Sequence, residues 1–206
     1  MPVPADTTGL LGGRDPADPR AQAWLEAVAA WLAPGEALDA RPSATHAGWR
    51  LWPLLGSGAP GFSAERLHLA VPAGDAWLAA LRPDVFFAQA AERLEAAGGD
   101  QAERWAGRLR QPTGNLAIIG RLVQTFALSL DLGSPSALRL RVGCADTPSA
   151  VQASMLLHAW RGRRGAGDDA IATAFADATV HRVGTRVEMT FPGTPDVVTR
   201  LIVPRR

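Results

Sequence analysis

The 206-residue sequence contains no lysine and no tyrosine, a single asparagine (Asn115) and a single cysteine (Cys144). Each absence removes a chemistry. Without lysine there is no Schiff-base nucleophile and no lysine-dependent phosphate loop. One cysteine allows no internal disulfide and no multi-cysteine zinc site, which fits a reducing compartment. The four histidines, His46, His68, His158 and His181, include no pair at the i, i+4 spacing of a helical metal site, and no His-Glu-x-x-His motif occurs. No metal and no cofactor is therefore expected. A Gly-x-Ser-x-Gly nucleophile elbow is also missing. The stretch Gly162-Arg163-Arg164-Gly165-Ala166-Gly167 does not follow a strand and reads as a helix–helix connection rather than a phosphate loop. No segment approaches the roughly 18 uninterrupted apolar residues of a membrane span. The N-terminal residues Met1-Pro2-Val3-Pro4 carry neither the basic region nor the apolar run of a signal peptide. A cytoplasmic chain is expected, with a mature exported chain as the alternative.

What remains is a nearly neutral, moderately apolar chain. Twenty-one basic residues, all arginine, face 20 acidic ones, and 47% of the residues are apolar. That is enough to build a core and too little net charge for general disorder. Abundant alanine, glycine, proline and arginine read as the codon bias of a high-GC bacterial genome, so arginine richness alone does not indicate anion binding. Residues 1–134 carry a net charge of −3 and residues 135–206 a net of +4. This asymmetry falls short of the basic balance of nucleic-acid-binding domains.

Residues 1–17, rich in Pro, Gly, Asp and Thr, read as a flexible arm. Asp18-Pro19 then opens a helix in which Trp24, Leu25, Val28, Trp31 and Leu32 recur at helical spacing, ended by Pro34-Gly35. Gly48 to Leu55, interrupted by Pro53, reads as a short edge strand. Leu67, Leu69 and Val71 alternate as a half-buried strand, and Asp75 caps a short helix through Leu81. Helices are expected from Pro83 to Ala97 and, through the capping box Asp100/Glu103, onward to Arg110; Leu116, Ile119, Val123 and Phe126 continue at helical spacing.

The last third is patterned most clearly. Phe126, Leu128, Leu130 and Leu132, then Leu138, Leu140, Val142 and Cys144, alternate with polar residues around Gly133-Ser134-Pro135-Ser136, which predicts a β-hairpin. Asp146-Thr147-Pro148 starts a helix, Asp168 or Asp169 caps another, a second hairpin turns near Gly184, and Thr194-Pro195-Asp196 starts a last helix. Strand–turn–strand–helix units thus appear at 125–161 and 179–203, with a weaker copy at 48–81. The expected fold is α+β. Antiparallel hairpins, each followed by a helix, form a sheet with helices mainly on one face, a solvated opposite face and a helical insertion in the middle. Residues 18–206 make one domain, with lobes 18–124 and 125–206 as the alternative.

Three constellations are candidates for function. The Trp24/Val28/Trp31 stripe can dock onto a partner or a second copy, since tryptophan is enriched at interaction hot spots; burial against the chain's own core is the competing reading. Arg139, Arg141 and Arg186 share the outward face of the late hairpins and form a candidate anion-binding surface. That face lacks the aromatics on which RNA bases stack, which disfavours nucleic acid. Cys144, at a strand end before a helix, is the candidate nucleophile if a histidine lies near it in space. Its parity with Val142 favours a buried structural cysteine. The function expected is that of a non-catalytic binding or assembly protein acting through protein–protein contacts or self-association. The alternative is an enzyme or small-molecule binder built around Cys144.

Overall fold

The computed structural model of the chain describes residues 7–14, 17–32, 37–40, 43–46, 48–56, 74–81, 83–110, 118, 121–167 and 169–193. Among the described residues eight strands form one sheet in which each hydrogen-bonded pair is antiparallel. In chain order the elements are β1 (Thr7–Arg14), α1 (Pro19–Leu32), a 3-10 turn (Leu38–Ala40), β2 (Ala44–His46), β3 (Trp49–Gly56), β4 (Ala76–Leu81), α2 (Pro83–Ala97), α3 (Asp100–Arg110), β5 (Val123–Asp131), β6 (Ala137–Cys144), α4 (Thr147–Arg164), α5 (Ala170–Asp177), β7 (Thr179–Val183) and β8 (Arg186–Pro192). Across the sheet the order is β2-β3-β1-β4-β5-β6-β8-β7.

This order has an internal symmetry. β1, α1 and the hairpin β2-β3 form a strand–helix–hairpin unit whose last strand pairs back onto its first. β6, the helices α4 and α5, and the hairpin β7-β8 form a second unit of the same build. β4 and β5 flank the units and pair with each other at the centre, so an approximate two-fold axis normal to the sheet relates the halves.

Register assigns each side chain to a face. The row Trp52–Leu11–Leu78–Leu128–Leu140–Met189–Val180 crosses seven strands on one face. Its members belong to the main core together with Trp24, Leu25 and Val28 of α1, Phe86 and Ala90 of α2, Ala150, Ala153 and Leu157 of α4, and Phe175 of α5. The next row, Leu51–Gly12–Trp77–Ser129–Arg139–Thr190–Thr179, lies on the opposite face, as period-two alternation requires.

Several sequence expectations need correction. Residues 7–14 are not a loose arm: they form β1, between β3 and β4. Its glycines hide the strand pattern because large neighbours fill the space. A Cβ on Gly9 would overlap the Phe86 ring, and one on Gly12 would overlap the Trp77 indole. Residues 76–81 are strand β4, not a capped helix. All six are buried, so alternation vanishes and a helix-favouring Ala/Leu run remains. The 48–81 copy of the repeat therefore lacks its helix, whereas β5-β6-α4 does follow the strand–strand–helix order. β3 is not an outermost strand; Pro53 is tolerated because the described β2 pairs only as far as Leu51. The helical spacing through Val123 and Phe126 ends in β5. The opposite face is not uniformly solvated. Leu10, Leu51, Trp77, Ala79, Leu81 and Ala127 form a second buried cluster there. Ser129, which reads as outward and polar, is fully buried beside Trp77. The expected strand at 67–71 and the last helix at 194 lie outside the described residues.

The helix starts follow their caps. The Asp146 carboxylate accepts from the Ser149 N–H at 2.8 Å, with Pro148 in the first turn of α4. Asp169, rather than Asp168, caps α5, accepting from the Ala172 N–H at 2.7 Å. Among the described residues no helix is long and apolar enough to cross a membrane.

Candidate functional site

The tryptophan stripe of α1 faces inward. Trp24 and Val28 are buried in the main core, and Trp31 packs against it partly buried. Trp24 and Val28 therefore pack onto the sheet of their own chain, and the stripe's remaining exposure falls to Trp31. Spacing in the sequence identifies the apolar face of a helix but not what covers it.

The three arginines do share one face. Register continues from Pro53 through Leu10, Ala79 and Ala127 to Arg141, Glu188 and His181, with Arg139 one row away and Arg186 on the other side. This half of the second face is polar, whereas the half on β3, β1 and β4 is apolar. Two of the three guanidinium groups are engaged internally. Arg139 pairs with Asp131 at 2.9 Å, and Arg141 donates through Nε and a terminal nitrogen to one Glu188 oxygen at 3.0 and 2.6 Å. Asp131 also accepts from the Gly133 N–H, and that bond followed by the Arg139 guanidinium holds its carboxyl below the ordinary aspartate range. The face is therefore a network of compensated charge, and its capacity for an external anion falls mainly to Arg186.

A shallow cleft of about 180 Å³ opens beside Arg186, between β5, β6 and the β7-β8 turn, lined by Thr125, Arg141, Gly143, Cys144 and Thr185 among others. It forms where the β5 register slips between Val123 and Thr125, a bulge of the kind that redirects side chains at strand ends. Cys144 reaches its rim but is buried, with 7% exposure. Burial pushes its thiol above the ordinary range, and the Asp146 carboxylate adds to that rise. This is opposite to what a nucleophilic thiolate needs. Among the described residues no histidine lines the cleft. His158 is exposed on α4, and His181 lies on β7, two strands from Arg141. No group of three His, Cys, Asp or Glu side chains among the described residues is placed to hold a metal ion.

The feature that the sequence did not single out is the sheet edge at β7. Among the described residues this strand ends the sheet and pairs only with β8. Four of its five residues are exposed, Val183 to 67%. The hairpin turns through Gly184 and Thr185, with Gly184 at φ 59°, so Val183 and Arg186 flank a two-residue loop. In such a hairpin the flanking pair exchanges both backbone hydrogen bonds, and pairs then alternate. Thr179, His181 and Val183 accordingly turn their N–H and C=O groups toward β8. Val180 and Arg182 turn theirs outward, where the described residues offer no strand to receive them. α4 packs on β7, tied to its start by the Arg161 guanidinium donating to the Ala178 carbonyl at 3.0 Å. Val151 and Met155, one turn apart on α4, are exposed to 40% and 66%. No family model, curated protein sequence or solved structure matches this chain.

Proposed function

We propose that this protein is a non-catalytic binding or assembly component that meets a protein partner by adding a strand at β7. The observation that carries the reading is the open edge itself: outward backbone groups at Val180 and Arg182 on a five-residue strand without proline or bulge. Exposed edges of this kind are templates for pairing with another chain. The exposed Val183 adds apolar surface to the edge strand itself. The paired state of Arg139 and Arg141 makes recognition of an anionic polymer the weaker alternative. The raised thiol pKa of Cys144 does the same for thiol chemistry.

Arg182→Pro tests the reading. At an outward position of an edge strand, proline removes a donor that the β7-β8 ladder does not use. The wild-type chain and this variant are purified from the cells that make the protein, and the backbone amides of Val180 and Arg182 in the wild type are followed by hydrogen exchange. The expected result is that proteins held by the wild type protect both amides and are lost by the variant, with its melting temperature unchanged. Retention of the same proteins by the variant, or wild-type Val180 and Arg182 amides that exchange as fast in their presence as in the free chain, would overturn it.

A further inference from the structure

We infer that the strand received by β7 is β7 of a second copy, paired antiparallel about a two-fold axis at His181. The inference rests on the edge-binding reading above and names its partner. The outward groups of Val180 and Arg182 lie symmetrically about His181. Around an axis at that residue, Val180 faces Arg182 of the second copy and Arg182 faces its Val180. Both are pairs of outward-turned residues, so each exchanges two backbone hydrogen bonds, and no other residue of the strand is needed. An isologous contact of this kind closes at two copies.

Neighbouring registers fail on groups already engaged. An axis at Val180 would recruit Ala178, but its N–H donates to the Phe175 carbonyl at 3.3 Å and its carbonyl accepts from Arg161 at 3.0 Å. An axis at Arg182 would recruit Gly184, whose carbonyl accepts from the Arg182 side chain at 3.1 Å, and would set two guanidinium groups directly opposite each other. A shift by one residue would oppose outward groups to inward ones and form no ladder. In the His181 register the arginines fall on diagonal positions, and each exposed Val183 meets the Thr179 of the other copy, a cross-strand pair of β-branched side chains. The sheet then runs without interruption through both copies. The α4 helices, which pack on β7, come to flank the axis with Val151 and Met155 on their exposed surfaces.

Engineered cysteines report the register. In a Cys144→Ala background the chain holds no other thiol. A residue on the axis faces itself in a non-hydrogen-bonded pair, with Cα atoms about 4.5 Å apart, within disulfide reach. His181→Cys is therefore expected to form a disulfide-linked dimer under mild oxidation. Arg182→Cys, on a diagonal, should do so at least tenfold more slowly. Sedimentation of the wild type should show a concentration-dependent shift from one chain to two, abolished in Arg182→Pro. Equal cross-linking by the two cysteine variants, or a single-chain mass at every concentration up to about 100 μM, overturns self-pairing. If the chain sediments alone while proteins held by the wild type still protect Val180 and Arg182, only this inference fails. If those amides stay unprotected in every state, the edge-binding reading fails with it. Should Arg182→Pro not fold, the cysteine pair and the wild-type sedimentation decide the matter.

Discussion

Replacing Gly12 by alanine adds one methyl group to a strand in the middle of the sheet, and the structure places that methyl inside the Trp77 indole. The ring has nowhere to go. Trp77 is 1% exposed, lies 5.9 Å from Trp49, and belongs to the cluster of Leu10, Leu51 and Ala79. Arg14 stacks in turn on Trp49, at 4.4 Å from the ring centre. Inserting a carbon into a closed core costs about 1–3 kcal/mol, and a rigid, buried neighbour argues for the upper end. Against that stands the entropic gain of replacing glycine in a strand, about 0.5–1 kcal/mol. The net expectation is a loss of about 2 kcal/mol, or roughly 4–8 °C in melting temperature for a chain of this size.

The assay is urea unfolding followed by circular dichroism, run as a double-mutant cycle. Gly12→Ala should be costly alone and close to neutral in a Trp77→Leu background, where the indole is gone. The coupling should therefore be about 2 kcal/mol. Gly107→Ala is the control. Gly107 is exposed inside α3 with nothing within 4 Å of the added carbon, so alanine should stabilise there by about 0.5–1 kcal/mol. A neutral Gly12→Ala, or a penalty that persists without the indole, would falsify the packing of β1 beneath Trp77.

Three further expectations follow from local geometry. Cys144 should resist a neutral-pH thiol reagent in the native protein and react at full rate only in denaturant; rapid native labelling at pH 7 would contradict its burial and raised pKa. Asp131 has a folded pKa below its unfolded one, so it contributes stability that is present above the ordinary aspartate range and is lost as pH falls through its folded value. Asp131→Asn should flatten the acid limb of the stability–pH curve, and an unchanged limb would show that the Gly133 and Arg139 contacts are absent in solution. Asp169→Ala removes the cap of α5 and should cost about 1 kcal/mol in chemical unfolding, recovered in most part by Asp169→Ser; equal losses in the two variants would mean that the cap hydrogen bond is not the cause.

The parts of this fold that were legible in the sequence are those in which local chemistry decides. Alternation from Phe126 to Cys144 gave the β5-β6 hairpin, and Asp146 and the pair Asp168-Asp169 marked their helices, because one sheet face is dry and a helix start needs an acceptor. What stayed hidden depends on distant neighbours. β1 looks like a loop because Phe86, Leu25 and Trp77 supply the bulk that its glycines lack, and those residues lie elsewhere in the chain. β4 looks like a helix because both its faces are buried. The Trp24/Val28/Trp31 stripe was visible as a face, but only the sheet beneath it shows that the face is already covered. The β7 edge was visible as half of a hairpin. That it ends the sheet follows from strand order, which no local pattern encodes.

The approximate symmetry of the sheet sharpens the contrast between its two ends. Each half contributes a strand–helix–hairpin unit, and in each the first strand of the hairpin becomes an outer edge: β2 on one side, β7 on the other. Their chemistry differs. Around β3, β1 and β4 the second face is apolar and closed, built from Leu10, Leu51 and Trp77. Around β6, β8 and β7 it carries Arg139, Arg141, Glu188 and His181, with the arginines neutralised by ion pairs at 2.9 and 2.6 Å. A surface of compensated charge repels neither a second copy of itself nor water, and it adds little adhesion of its own. In the proposed pairing, binding strength at this end therefore comes from the backbone of Val180 and Arg182 and from the exposed Val183 beside them. The chain already joins its own halves by antiparallel pairing of β4 with β5 about a local two-fold axis, and pairing at His181 repeats that operation between molecules. Among the described residues, Val180 and Arg182 on β7 thus present backbone groups that the sheet itself does not use.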